Sequence, residues 1–291
     1  MKLLHLKVVL AAIDADESSL DTLRAARELA HAAGAKLQAV HATAAGARSE
    51  HSAGGDADAV RRLFERGDSK PSEASLEIVA GEPTHVIRSF ADKIRADVIV
   101  LGQHRERRKD QQRLGSTALG VVTNSWAPCL VLSRPMRLPL EHVLVPVDLS
   151  NTSRGALFVA LSWASALRKT QRGGGAAGGD TAALTALFVD AAKRDGSPRA
   201  LDDELDTLRR DAGTWAGVSV RGVVVADGDV PQAIAGYAGE HQSDLMVLGT
   251  RGLGSDAVGR LGSVSLGVLS RMDQPILLVP PAVWESYSST P

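Results

Sequence analysis

Only one cysteine, Cys129, occurs in the 291-residue chain. An intramolecular disulfide and a Cys-based zinc cluster are therefore both excluded. The segment Met1 to Lys7 is too short, and too quickly followed by a strand pattern, to read as a signal sequence, so a reducing, cytoplasmic setting is expected. Aromatic residues make up only 3% of the chain, which leaves the core to Ala, Val and Leu. Apolar runs such as Val98 to Leu101 and Pro275 to Val279 are strand-length and fall far short of the ~20 residues that span a bilayer. Membrane insertion is not expected. Charge of one sign is missing too: 33 Lys and Arg face 34 Asp and Glu, for a formal net charge of -1. Such a chain has no long-range field with which to gather nucleic acid or an anionic membrane. No G-x-x-x-x-G-K-[ST] occurs, so the P-loop lysine of fast nucleotide hydrolases is missing. The 8 histidines show no metal-ligand spacing such as H-x-x-x-H, and no metal-ligating residues are assigned.

What is present is an ordinary folded composition, 44% hydrophobic and 23% charged, in a chain longer than one core usually grows to without splitting. The two halves repeat. Ala96-Asp97-Val98-Ile99-Val100-Leu101-Gly102 falls on Ser243-Asp244-Leu245-Met246-Val247-Leu248-Gly249, an offset of 147 from Gly102 to Gly249. The same offset carries Gly81 to Gly228, Ile87 to Ile234, Leu114-Gly115-Ser116 to Leu261-Gly262-Ser263, and Pro128 to Pro275. Nearer the start of each half the offset is 134, from Asp14 to Asp148. The second copy thus holds about 13 extra residues, and the glycine-rich stretch Gln171 to Asp180 is the place where a flexible loop is expected. One domain has been duplicated, giving expected domains of 1–138 and 139–291.

Within each half, short β-rich runs alternate with amphipathic helical stretches, the pattern of a parallel sheet covered by helices on both faces. Strands are predicted near Val8 to Ile13, Lys36 to His41, Ser75 to Val79, Asp97 to Leu101 and Cys129 to Leu132. Their repeats lie near His142 to Val147, Ala183 to Phe188, Val218 to Val225, Asp244 to Leu248 and Ile276 to Val279. Helices are predicted over Ser18 to Ala33 and Thr152 to Arg168. Each copy is thus a doubly wound α/β domain of five strands, in which a ligand sits beyond the carboxyl ends of the strands, at the loops after the first and fourth.

After the fourth strand of the second copy comes Gly249-Thr250-Arg251-Gly252, then nine residues, then Gly262-Ser263-Val264-Ser265 opening a helix. Glycines in such a loop let the backbone approach a polyphosphate and adopt positive φ, while free N–H groups at the helix start attract negative oxygens. The Ser263 and Ser265 hydroxyls add hydrogen bonds. Asp148 ends the first strand and faces the same crevice, where a carboxylate accepts from ribose hydroxyls. The segment Gly252 to Ala257 also reads G-x-G-x-x-A, but it follows the wrong strand for a dinucleotide fold.

The G-x2-G-x9-G-[ST] spacing, the strand-terminal Asp148 and the lead-in Asp244-x4-Gly249-Thr250-Arg251 resemble the universal stress protein (UspA-type) family, over nearly the whole chain and twice. The resemblance implies tandem five-stranded parallel sheets of strand order 3-2-1-4-5, an adenine-nucleotide alpha-hydrolase-like fold. It also implies ATP binding without robust hydrolysis, with Mg²⁺ carried on the phosphates. By position, Asp148 would bind ribose, Val189 would meet adenine with Pro146 nearby, and Gly249, Gly252, Gly262, Ser263 and Val264 would cradle phosphates. A pseudo-dimer inside the chain is implied as well, with Cys129 to Leu132 and Pro275 to Val279 as its seam. Further association of two chains, and the identity of a protein partner, are left open.

The first copy departs from the pattern. It has Asp14, Gly102, Gly115 and Ser116, but Arg105 stands where the second glycine belongs and Ala12 where the second copy has Pro146. A long side chain there blocks close backbone approach, so the first site is expected to be degenerate. Three functional readings stand side by side: an ATP-responsive stress regulator, a slow ATP hydrolase or autophosphorylating enzyme, and an interaction module that binds no nucleotide.

Overall fold

The computed structural model describes residues 6–43, 50–66, 74–102, 114–169, 182–192, 197–212, 218–252 and 260–288. The insertion Gln171 to Asp180, the cationic run Arg105 to Lys109 and the segment Gly254 to Ala257 lie outside the described residues. The first half runs β1 (Val8–Ala12), α1 (Ser19–Ala33), β2 (Lys36–Thr43), α2 (Glu50–Arg66), β3 (Ala74–Ala80), α3 (Pro83–Ile94), β4 (Val98–Gly102), α4 (Ser116–Asn124) and β5 (Cys129–Leu132). The second repeats it as β6 (His142–Val147), α5 (Asn151–Lys169), β7 (Ala182–Val189), α6 (Ser197–Ala212), β8 (Val218–Val225), α7 (Val230–Glu240), β9 (Leu245–Gly249), α8 (Ser263–Leu269) and β10 (Ile276–Val279). A last helix, α9 (Pro281–Ser288), follows.

Each half has the strand order expected, β3-β2-β1-β4-β5 and β8-β7-β6-β9-β10, and within each half the neighbours are parallel. The halves then join edge to edge: β5 pairs antiparallel with β10, making one ten-stranded sheet of the described strands. Leu130 pairs with Leu277, its own repeat equivalent, while Cys129 pairs with Leu278 and Val131 with Ile276. A residue meeting its own equivalent is the mark of an isologous, twofold contact. The seam is dry, since Leu130, Leu277 and Leu278 are fully buried. Cys129 lies within it, and burial pushes its thiol from 9.0 up to about 12. The fourth-strand lead-in aspartates serve the opposite end of the sheet from the ligand crevice. Asp97 Oδ2 accepts from the N–H groups of Lys7 and Val8, and Asp244 Oδ2 from those of Glu141 and His142, at 2.7–3.0 Å. These carboxylates tie the start of β4 to β1, and of β9 to β6.

Apolar side chains fill both faces of the sheet, in line with helices on each side. On one face α5 is buried nearly all round, from Ala156, Leu157, Phe158, Val159, Ala160 and Leu161 to Trp163 and Leu167. An all-apolar helix needs cover on every side, and α9 supplies part of it: Trp284 packs so closely on α5 that a Cβ at Gly155 would lie 3.2 Å from the Trp284 Cβ. No described helix is long and apolar enough to cross a membrane.

Candidate functional site

The two halves differ most where strand order reverses. In the first half β1 and β4 pair from Val9–Val98 through Ala12–Leu101. In the second, β6 and β9 pair only at Val143–Leu245 and Leu144–Met246. Pro146, the counterpart of Ala12, has no N–H to donate to a ladder, and the two strands part before it. A cavity of about 630 Å³ opens at their carboxyl ends, within the ~300–1,000 Å³ range of small-molecule sites. All nine residues singled out from the sequence line it: Pro146, Asp148, Val189, Gly249, Gly252, Gly262, Ser263, Val264 and Ser265.

Its walls are of two kinds. Pro146, Leu187, Phe188, Val189, Val230, Ile234 and Leu248 supply apolar lining, and Asp148, Arg251, Arg260 and Ser263, with the backbone of Gly252 and Gly262, supply polar lining. Sequence reasoning missed much of this. It looked to the loops after the first and fourth strands and, through the resemblance, to Val189 at the end of β7, whereas Leu187, Phe188, Ala191, Ala192 and, from α7, Val230 and Ile234 also line the cavity. Arg260 was also missed; the recurrence of Arg-Leu-Gly-Ser at 113–116 and 260–263 was the signal that pointed to it.

Each glycine has its own physical reason, and positive φ is not among them: the described glycines with positive φ are Gly34 and Gly81. At Gly252 a Cβ would collide with the Asp148 Oδ2 atom, so glycine lets the strand-end carboxylate lie against the loop backbone. At Gly249 a Cβ would come within 2.8 Å of the Thr152 Cγ2 atom, so glycine serves the packing of α5 on β9. Gly102 does the same in the first half, against Thr22 Oγ1 at 2.6 Å. Gly262 has φ -60 and ψ 150, and a Cβ there would make only ordinary contacts of 3.6–3.7 Å. Packing among the described residues does not demand glycine at that position, which lines the cavity.

Gly262 caps α8 and donates its N–H to the Thr250 carbonyl at 2.9 Å. Helix geometry leaves the N–H groups of Ser263, Val264 and Ser265 without intrahelical acceptors. The Ser265 hydroxyl, expected to face a ligand, instead donates to the Gly249 carbonyl at 2.8 Å and is buried. Its proton is committed to holding α8 on the end of β9. Opposite, Asp148 Oδ1 accepts from the Ser150 N–H at 3.0 Å, across Leu149, whose φ of 66 is left-handed. Such a backbone state in a branched residue persists only where its surroundings over-determine it.

In the first half Asp14 is arranged differently. Its Oδ1 accepts from the adjacent Ala15 N–H at 2.8 Å and lies 3.8 Å from the Nδ1 of buried His41. Thus Asp14 leans toward β2, where Asp148 leans toward the glycine loop.

The universal stress protein family model matches residues 5–133 and again 139–280. A universal stress protein of Methanocaldococcus jannaschii is 29% identical over 80 residues, 28% of this chain and 47% of its own; the chain therefore spans about half the length of that relative. Among solved structures, a universal stress protein from Archaeoglobus fulgidus superposes with a TM-score of 0.67 at 20% identity, over 94% of this chain and 98% of that one. A putative universal stress protein from Pseudomonas aeruginosa gives 0.64 at 15% identity, with 98% of both chains covered. At these identities the likeness speaks for the fold.

Proposed function

This chain belongs to the universal stress protein family in both of its halves, and from that premise we propose that its second domain, residues 139–291, binds ATP as a regulatory ligand while the first, residues 1–138, does not. The observation that carries the reading is the convergence of nine residues, chosen from motif spacing and from the family resemblance, on one cavity of about 630 Å³. In this reading the apolar lining at Pro146, Phe188 and Val189 takes the adenine. Asp148, held against Gly252, accepts from the ribose hydroxyls. The amides of Ser263, Val264 and Ser265, with the guanidinium groups of Arg251 and Arg260, meet the phosphates. Gly262 supports this assignment, because packing among the described residues leaves glycine unexplained there. Mg²⁺ would travel on the phosphates, adding charge neutralisation.

Binding of this kind needs no bond to break. Arg251 and Arg260 neutralise charge, and among the described residues lining the cavity Asp148 is the only carboxylate. The reading is therefore of a nucleotide-responsive regulator, its occupancy biasing the cavity walls and whatever they contact.

A phosphate ladder tests it. In calorimetric titrations the affinity is expected to rise from AMP through ADP to ATP, without sustained phosphate release. The Arg260→Ala variant should lose roughly tenfold for ATP, the scale of one charge-assisted hydrogen bond, and far less for AMP. Equal losses for AMP and ATP would remove Arg260 from the phosphate end; steady phosphate release would favour the hydrolase reading.

A further inference from the structure

We infer that Glu204, on α6 and outside the cavity, is a positioning residue for nucleotide binding: through Arg154 it fixes the turn that aims Asp148. The inference rests on the nucleotide reading of the cavity and extends it to a residue that lines no part of it.

On α6 the residues Leu201, Glu204, Leu205 and Leu208 are all buried, at the spacing of one helical stripe. Three are leucines, and the fourth is a carboxylate whose side chain is only 7% exposed. Both of its oxygens are used: Arg154 donates from Nε at 2.5 Å and from Nη2 at 2.7 Å. Arg154 stands in the first turn of α5, where its own N–H donates to the Ser150 carbonyl at 3.0 Å. The Ser153 hydroxyl donates to that same carbonyl at 2.9 Å, and the Ser153 N–H to Ser150 Oγ at 3.2 Å. Ser150 in turn donates its N–H to Asp148 Oδ1 at 3.0 Å. Consecutive hydrogen bonds thus run from a buried carboxylate on α6 to the carboxylate lying against Gly252, through the turn that holds Leu149 left-handed.

The packing of α5 on α6 does not by itself call for this pair. A buried ion pair is weak support for stability, and well-packed apolar replacements are often neutral or better. The first half folds without the pair. The offset of 134 that aligns Asp14 with Asp148 places Leu20 at the Arg154 position. The flanking strand registers place Ala57 or Asp58 at the Glu204 position, and Asp58 accepts from Arg61 on its own helix at 3.1 Å. Where the relay is missing, Ala15 is not left-handed and Asp14 takes its other arrangement. The relay and the intact glycine loop occur in the same half.

The test compares ATP with 2′,3′-dideoxy-ATP, which lacks the hydroxyls assigned to Asp148. Both are titrated calorimetrically into the full chain, into Glu204→Gln, and into the double variant Arg154→Leu, Glu204→Leu, with thermal melts alongside. The double variant is expected to keep or raise its Tm. Its ATP affinity should fall about tenfold, the size of coupling found within one hydrogen-bond network, while its dideoxy-ATP affinity stays unchanged. Glu204→Gln should move the same way by less, and provides the folded comparison should the double variant not assemble. Unchanged ATP affinity, or equal losses for both nucleotides, would overturn the positioning role. A wild-type chain that binds both nucleotides equally would refute the ribose role of Asp148 and the relay with it. A wild-type chain that binds neither would refute the nucleotide reading itself.

Discussion

Replacing Gly252 by arginine is expected to abolish ATP binding, with a loss of at least about a hundredfold, some 2.7 kcal/mol. The substitution copies Arg105 of the first half into the second. A Cβ alone at this position would collide with Asp148 Oδ2, so even Gly252→Ala must push the carboxylate off the loop. Arginine also crowds the polar lining of the cavity, where Arg251, Arg260 and Ser263 already stand. Gly252 is half-buried at the cavity wall, so the cost to folding should stay within about 1 kcal/mol. Calorimetry beside a thermal melt reads both quantities. Near-native affinity in a folded Gly252→Arg chain would mean that ATP does not lie against this backbone.

The second large effect belongs to the fold. Leu277→Ala is expected to lower the unfolding free energy by about 3 kcal/mol, within the ~2–5 kcal/mol range of buried leucine truncations. Leu277 is fully buried and pairs with its equivalent Leu130 across β5 and β10. The side chain belongs to the same buried cluster as Leu130 and the α5 leucines Leu157 and Leu161, so truncation leaves a void in the core. At roughly 2–4 °C per kcal/mol for chains of this general size, the Tm should drop by about 6–12 °C. Trp126→Ala is the matched control. Trp126 is 67% exposed at the entry to β5, and its loss should fall within about 0.5 kcal/mol. Denaturant titration measures both variants; a Leu277→Ala loss no larger than that of Trp126→Ala would mean the seam contributes nothing in solution.

How far the sequence carried this picture depended on which physical cause was local. Strand positions were legible because β-rich runs and the repeat offsets agree, and the predicted His142 to Val147, Val218 to Val225 and Ile276 to Val279 coincide with β6, β8 and β10. The seam was legible because Cys129 to Leu132 and Pro275 to Val279 are apolar throughout, as an edge strand covered on every side must be. The reason for each glycine was not. Spacing marks Gly249, Gly252 and Gly262 alike, yet Thr152 accounts for the first and Asp148 for the second, and both partners are distant in the chain. Ser265 looked like a ligand contact because it opens a helix, but the Gly249 carbonyl that takes its proton lies 16 residues earlier. Pro146 was read as a wall of the adenine site; its effect on the β6–β9 ladder shows only when both halves are laid side by side. Glu204 left no mark in any motif, since a carboxylate in an amphipathic helix reads as solvent-facing until its partner is known.

The fold holds two equivalent points of strand-order reversal, and the second has the open ladder, the glycine against the carboxylate and the left-handed turn. Calorimetric titration of ATP into the intact chain reads that asymmetry directly. One ATP bound per chain, lost on Gly252→Arg, is the expected result. Two bound per chain would mean that the first half is competent despite Arg105 and Ala12, and no binding at all would leave the cavity at Asp148 without its proposed ligand.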